Sequence, residues 1–164
     1  MSTVATSVLP DARAVREMLE GLLFRDVTVA PSDPVATGAD NPHGVGTFVD
    51  DAGGLVGVAV MDLPLAAYAA AAIGLVPAGG AEAAIEDGEL PESLQANLYE
   101  VFNILSALFN VPGAPHLRLL ASYPPGEVAP ATVGALVRTL GKRLDLGVTV
   151  AGYGTGTLSL VLEP

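Results

Sequence analysis

The longest uninterrupted helical pattern in the chain is Leu90–Asn110, LPESLQANLYEVFNILSALFN. Leu94, Leu98, Val101, Ile104, Leu105 and Leu108 recur mostly at three- and four-residue spacing, so they share one broad side of a helix that can be buried. Glu92, Ala96, Glu100, Asn103, Ala107 and Asn110 take the other side. Pro91 stands at the first helical position beside Glu92, which suits the positive end of the helix dipole. Asn110, Pro112 and Gly113 mark the stop.

The rest of the pattern predicts a mixed set of elements. Leu9–Phe24 reads as an amphipathic helix with an apolar stripe of Val15, Met18, Leu19, Leu22 and Leu23, and Asp11 at its start is an N-cap or first-turn acid. Val27–Ala30 is a short strand stopped by Pro31, and 32–44 is loop, dense in Pro, Gly, Asp and Asn. Val45–Val49 and Leu55–Leu63 form a hairpin around Asp50-Asp51-Ala52-Gly53-Gly54. Asp62 caps an Ala-rich helix that Pro64 opens and that runs to Leu75. Val76–Glu89 is a Gly-rich acidic connector with room for one turn of helix. Beyond the long helix come a strand at His116–Ser122, a helix at Pro130–Lys142, and strands at Leu144–Tyr153 and Thr157–Leu162 that turn at Gly154-Thr155-Gly156. Two hairpins demand antiparallel pairing, and helices separate the strand groups. The expected fold is therefore α+β: a single largely antiparallel sheet with helices packed over it, in one domain spanning 1–164. No supersecondary unit repeats visibly along the sequence.

Composition narrows the partners. Apolar residues make up 51% of the 164 residues, enough for a sizeable core, while 7 Lys and Arg stand against 18 Asp and Glu for a net charge of -11. A basic footprint for nucleic acid is missing, and anionic membrane surfaces are disfavoured. The chain has no cysteine, which excludes disulfides, thiolate zinc sites and a cysteine nucleophile. MSTVATSVLPDAR at the N-terminus has no basic start followed by an apolar run, so no signal peptide is expected and a cytoplasmic location fits. Leu63–Ala81 carries no charge and reaches the length of a membrane span, but Pro64, Gly74, Pro77, Gly79 and Gly80 break it and no Lys or Arg flanks it; a buried helix is the simpler reading. That helix is apolar nearly all round and needs cover on more than one side, and sheet edges need protection, so a homodimer is one way to supply both.

Most candidate chemistry dissolves on inspection. His43 and His116 have no second ligand type at metal spacing, and no Gly-x-Ser-x-Gly elbow exists. Gly152-Tyr153-Gly154-Thr155-Gly156 lacks a lysine and leads into a strand, so it reads as a turn rather than a phosphate loop. Asp50-Asp51 are solvated turn acids. What remains is Glu100 and Asn103, neighbours at i, i+3 on the outer side of the long helix. They are either the ordinary wet face of an amphipathic helix or a working pair.

Glu100-x-x-Asn103 within EVFN, followed about twenty residues later by Pro124-Pro125, resembles the signature of the CheC/CheX/FliY family of chemotaxis phosphatases. The element order resembles a CheX-like domain across nearly the whole chain. The resemblance implies hydrolysis of the aspartyl phosphate of a CheY-like response-regulator receiver. It implies that Glu100 pairs with a lysine of the receiver and docks it, and that Asn103 enters the receiver's active site and orients the attacking water. It also implies no cofactor of the chain's own, the magnesium being the receiver's. Two positions depart from the family pattern: Ala96 stands where Asp or Ser is usual, and Ala107 where Gly is usual. An inactive CheC-like module that binds a receiver or another partner is the alternative, and a chance match in an unrelated α+β domain is a third.

Overall fold

The computed structural model describes residues 6–164, so the first five residues of the N-terminal segment read above lie outside the described part. The elements run α1 (Ala12–Leu23), β1 (Val27–Pro31), β2 (His43–Val49), β3 (Leu55–Asp62), α2 (Leu63–Ile73), α3 (Ala78–Asp87), α4 (Glu92–Leu105), a 3-10 helix (Ser106–Phe109), β4 (Arg118–Tyr123), α5 (Ala131–Val137), β5 (Lys142–Val150) and β6 (Gly154–Leu162). The six strands form one antiparallel sheet in the order β1-β5-β6-β3-β2-β4, as the α+β reading requires.

The topology contains a repeat that the sequence hides. α1 and β1 precede the hairpin β2–β3, and α4 and β4 precede the hairpin β5–β6. Each leading strand pairs with the other half's hairpin, β1 with β5 and β4 with β2, while β3 and β6 meet at the centre. The expectation of no internal repeat is thus corrected: the two halves share an arrangement but no visible residue pattern, because packing fixes only apolar character at each position.

The helices cover one face of the sheet around a core that includes Phe48, Met61, Leu98, Phe102, Leu158 and Leu160. α5 covers part of the other face, where Val133, Leu136 and Val137 meet Val45, Val58, Val60 and Val161. Strands β2 and β3 are consequently buried on both faces and read as near-continuous apolar runs.

α2 is buried along almost its whole length, from Leu63 to Ala72. Asp62 caps it by accepting from the Leu65 N–H at 2.9 Å. Its cover comes from its own chain, between α3, α4 and β6, so the Ala-rich surface that pointed to a second subunit is already occupied. Among the described residues no helix is long and apolar enough to cross a membrane.

Beyond small shifts at element ends, four elements differ from expectation. The connector holds a ten-residue helix, α3, because Ala81 and Ala84 bury against α2 and the two glycines fall in the first turn, where helical hydrogen bonds are missing anyway. The long helix keeps α geometry only to Leu105 and tightens to 3-10 over its last turn. α5 stops at Val137 rather than Lys142, and Lys142 already starts β5. The second hairpin turns at 151–153, with Gly152 at φ 82, three residues before the expected turn. Gly154 and Gly156 lie inside β6 for a different reason. A Cβ on Gly156 would sit 2.5 Å from the Leu65 nitrogen, and one on Gly154 would sit 2.7 Å from the Tyr68 ring. They are glycines so that α2 can approach the sheet.

A polar cluster anchors α5. Arg143 donates from Nε and Nη2 to the two carboxylate oxygens of Asp145 at 2.9 and 2.8 Å, and from Nη1 to the carbonyls of Val137 and Thr139 at the end of α5. Ser159 donates to Asp145 at 2.6 Å and accepts from the Val35 N–H at 3.0 Å. The pair is largely removed from water, with side-chain exposures of 11% and 13%. Burial by itself pushes the Asp145 carboxyl up, but the hydrogen bonds from Arg143 and Ser159 and the Arg143 charge outweigh it and hold the carboxyl below its ordinary value.

Candidate functional site

α4 is the element on which the predicted pair rides. Its inner side buries Leu94, Leu98, Val101, Phe102 and Leu105. Each such side chain contributes roughly 1.5–3 kcal/mol by leaving water. The helix approaches the sheet closely because Gly44 and Gly46 lie beneath it: a Cβ on Gly46 would stand 2.6 Å from Phe102 Cγ, and one on Gly44 3.1 Å from a Leu98 methyl. Sequence periodicity left Phe102 unassigned, yet it is fully buried. The alternation of glycines at 44 and 46 on one strand face was the signal for a large side chain opposite.

Polar contacts fix the helix at its flank and both ends. Gln95 donates to the Leu90 carbonyl at 2.9 Å and Asn97 to the Ala70 carbonyl of α2 at 3.0 Å. Ser106 donates to the Asn103 carbonyl at 2.6 Å where the last turn tightens. Asn110 holds the backbone of Leu117 from both sides, donating to its carbonyl at 3.0 Å and accepting from its N–H at 2.8 Å. A sequence stop signal thus works as a tie between the helix end and the segment entering β4.

Glu100 and Asn103 are both exposed on this fixed helix. Among the described residues neither side chain makes a hydrogen bond or ion pair within the chain, whereas the outer carboxylates of α1 are engaged: Glu17 pairs with Arg13 at 2.9 Å and Glu20 with Arg16 at 3.8 Å. At about 100° per residue, Ala96 and Asn103 fall together on the outermost line of α4, and Ala107 follows in the 3-10 turn. Glu100 lies slightly to the side that faces α2, the side Asn97 marks. Asn103 therefore stands on the outward ridge of the helix, one turn beyond Tyr99 and Glu100.

The remaining candidates do not join this site. His116 Nδ1 lies 3.3 Å from an Asp51 carboxylate oxygen, both exposed, across the strand ends. His43 Nδ1 bonds to the Asn41 carbonyl at 2.8 Å. His43 also lines a cavity of about 310 Å³ with Asn41, Val45, Val137 and Arg138, and neither Glu100 nor Asn103 reaches it. Among the described residues no three His, Asp or Glu side chains gather at metal-binding distance.

No family model matches the chain, and no curated protein matches it by sequence. Solved structures match it by fold. Thermotoga maritima FliY aligns with a TM-score of 0.57 at 16% identity, over 92% of this chain and 82% of that one. The CheX–CheY–BeF3–Mg2+ complex from Borrelia burgdorferi aligns with a TM-score of 0.53 at 12% identity, over 92% and 94%. The FliM–SpeE complex from H. pylori aligns with a TM-score of 0.54 at 12% identity, over 92% and 80%. The chain has the fold of the CheC/CheX/FliY proteins, which FliM structures share.

Proposed function

We propose that this protein is a CheX-like phosphatase that hydrolyses the aspartyl phosphate of a CheY-like receiver, with Glu100 docking the receiver and Asn103 orienting the water. The observation that carries this reading is an adjacent carboxylate and amide, exposed and free of partners among the described residues, on a helix fixed at its flank and ends. The fold match to a CheX in complex with CheY, beryllofluoride and magnesium supports a receiver as partner.

The chemistry asks little of this chain. Water attacks phosphorus in line, the acyl phosphate P–O bond breaks, and aspartate carboxylate and inorganic phosphate leave. The receiver supplies the scissile bond and the magnesium, so the phosphatase needs no metal of its own. A side-chain amide can accept a hydrogen bond from the water and donate another to a neighbouring oxygen. It holds the water in line without adding negative charge beside the phosphoryl group. The ridge suits entry into a receiver's active site, since Asn103 stands outermost on it and only the small Ala107 follows one turn on. Glu100 offers its carboxylate to a lysine at the rim of that site. A receiver as substrate fits a cytoplasmic location.

A second reading has its own support. Ala96 and Ala107 depart from the family pattern beside the pair, and the fold also matches FliM in a complex with SpeE. Under it the chain binds a receiver or another partner without turning it over, alone or as a homodimer. Turnover of phosphorylated receivers from the same genome separates the two. The phosphatase reading expects accelerated loss of acyl phosphate from at least one receiver at catalytic amounts of this protein. Binding without acceleration across the whole set overturns it in favour of the second reading.

A further inference from the structure

α4 exposes one large apolar side chain, Tyr99, at 45% of its surface. Leu94, Leu98, Phe102 and Leu105 turn inward, whereas Tyr99 leaves nearly half of its surface to solvent. Among the described residues the tyrosine hydroxyl makes no hydrogen bond. The side-chain bonds of α4 come from Gln95 and Asn97.

Its placement relative to the pair is informative. Helical rotation sets Tyr99 about 100° round the axis from Glu100, and the outermost line of Ala96 and Asn103 runs between them. Asn97, which bonds to α2, lies on the Glu100 side. Tyr99 therefore lies on the flank opposite the one that Asn97 ties to α2. A surface seated on the ridge would meet a carboxylate on one shoulder and an aromatic ring on the other.

We propose that Tyr99 is a specificity-determining anchor for the receiver, a role that rests on the receiver-docking reading above. The ring selects receivers that carry an aliphatic patch about one helix diameter, roughly 10 Å, from the lysine that meets Glu100. Exposed tyrosines suit such work because they bring large apolar area at low conformational cost, and a few aromatic residues commonly dominate an interface. Glu100 alone discriminates poorly, since every receiver site with a rim lysine satisfies it; the aromatic shoulder adds a second requirement at a fixed distance.

The test uses the full chain, a receiver loaded with beryllofluoride and magnesium for binding, and the same receiver as acyl phosphate for turnover. Tyr99→Ala is expected to weaken binding about tenfold, with the fall in kcat/KM carried by KM. Tyr99→Phe is expected to restore both, and thermal unfolding should show both variants folded, since the side chain is exposed. Wild-type affinity in Tyr99→Ala overturns the proposal alone. So does a loss in Tyr99→Phe equal to that in Tyr99→Ala, or a loss carried by kcat. Absence of receiver binding by the wild type overturns this proposal together with the docking reading.

Discussion

Phe102 occupies the space that the missing side chain of Gly46 leaves: a Cβ on Gly46 would stand 2.6 Å from Phe102 Cγ and 2.9 Å from its Cβ. Residue 102 lies next to residue 103, so the contact that seats α4 on the sheet also sets the height at which Asn103 is presented. Gly46→Ala is expected to force helix and strand apart and to lower folding stability by about 1–3 kcal/mol, the usual cost of overpacking. Chemical denaturation measures the loss. An unchanged midpoint would mean the helix can shift freely, contrary to a fixed support.

The end of the same helix depends on Asn110. Asn110→Ala removes two hydrogen bonds and leaves the Leu117 N–H and carbonyl without those partners. The expected cost is about 1–3 kcal/mol. Amide exchange at Leu117 should quicken more than exchange in β3, because the lost bond is local. Equal protection at Leu117 in both proteins would show that the tie contributes nothing.

Asp145 gives the fold a pH dependence of definite sign. Its carboxyl is held below the ordinary value in the folded chain, so its contribution is fully present above the unfolded value, about 3.9. That contribution is lost as pH falls from there through the lower folded value. Stability of the wild type relative to Asp145→Asn should therefore be constant near neutrality and shrink below about pH 4. Denaturation midpoints of both proteins across pH 3–7 measure this. A gap that widens on acidification would reverse the sign and remove the account of the Arg143–Asp145 pair.

Ala96 shares the outermost line of α4 with Asn103 and stands where the family that the chain resembles has Asp or Ser. Ala96→Asp adds a carboxylate on the approach side, and a partner that meets Glu100 with a lysine should bind the variant about two- to fivefold more tightly at low salt, with the gain fading as salt rises. Titration against a beryllofluoride-loaded receiver at two ionic strengths checks it. Weaker binding would place a negative or apolar surface over that turn.

The sequence was most informative where one constraint dominates. Asp11 and Asp62 cap the helices that their positions announced, with bonds of 2.8 and 2.9 Å. The order of strands and helices apart from α3, the antiparallel sheet and the exposure of Glu100 and Asn103 followed from the pattern. The misread elements are those where tertiary contact overrides local preference. Gly154 and Gly156 carry turn chemistry in sequence but serve the approach of α2 to β6. α3 looked like a connector because its helical content depends on two alanines buried against α2. Phe102 escaped assignment because its partner is an absence of side chain on another element. Which side chains of a rigid ridge meet another protein is set by that protein, so periodicity could mark Glu100 and Asn103 but gave no weight to Tyr99.

The central claim is that the Asn103 amide orients the water that hydrolyses a receiver's acyl phosphate. Single-turnover decay of a phosphorylated receiver, with saturating wild type or Asn103→Ala, tests it most directly. The account predicts that the wild type speeds the decay well above the receiver's own rate. It also predicts that Asn103→Ala loses about 10²-fold or more of that acceleration, in line with misplacing one positioning group, while still binding the beryllofluoride-loaded receiver. Decay as fast with Asn103→Ala as with the wild type would contradict it.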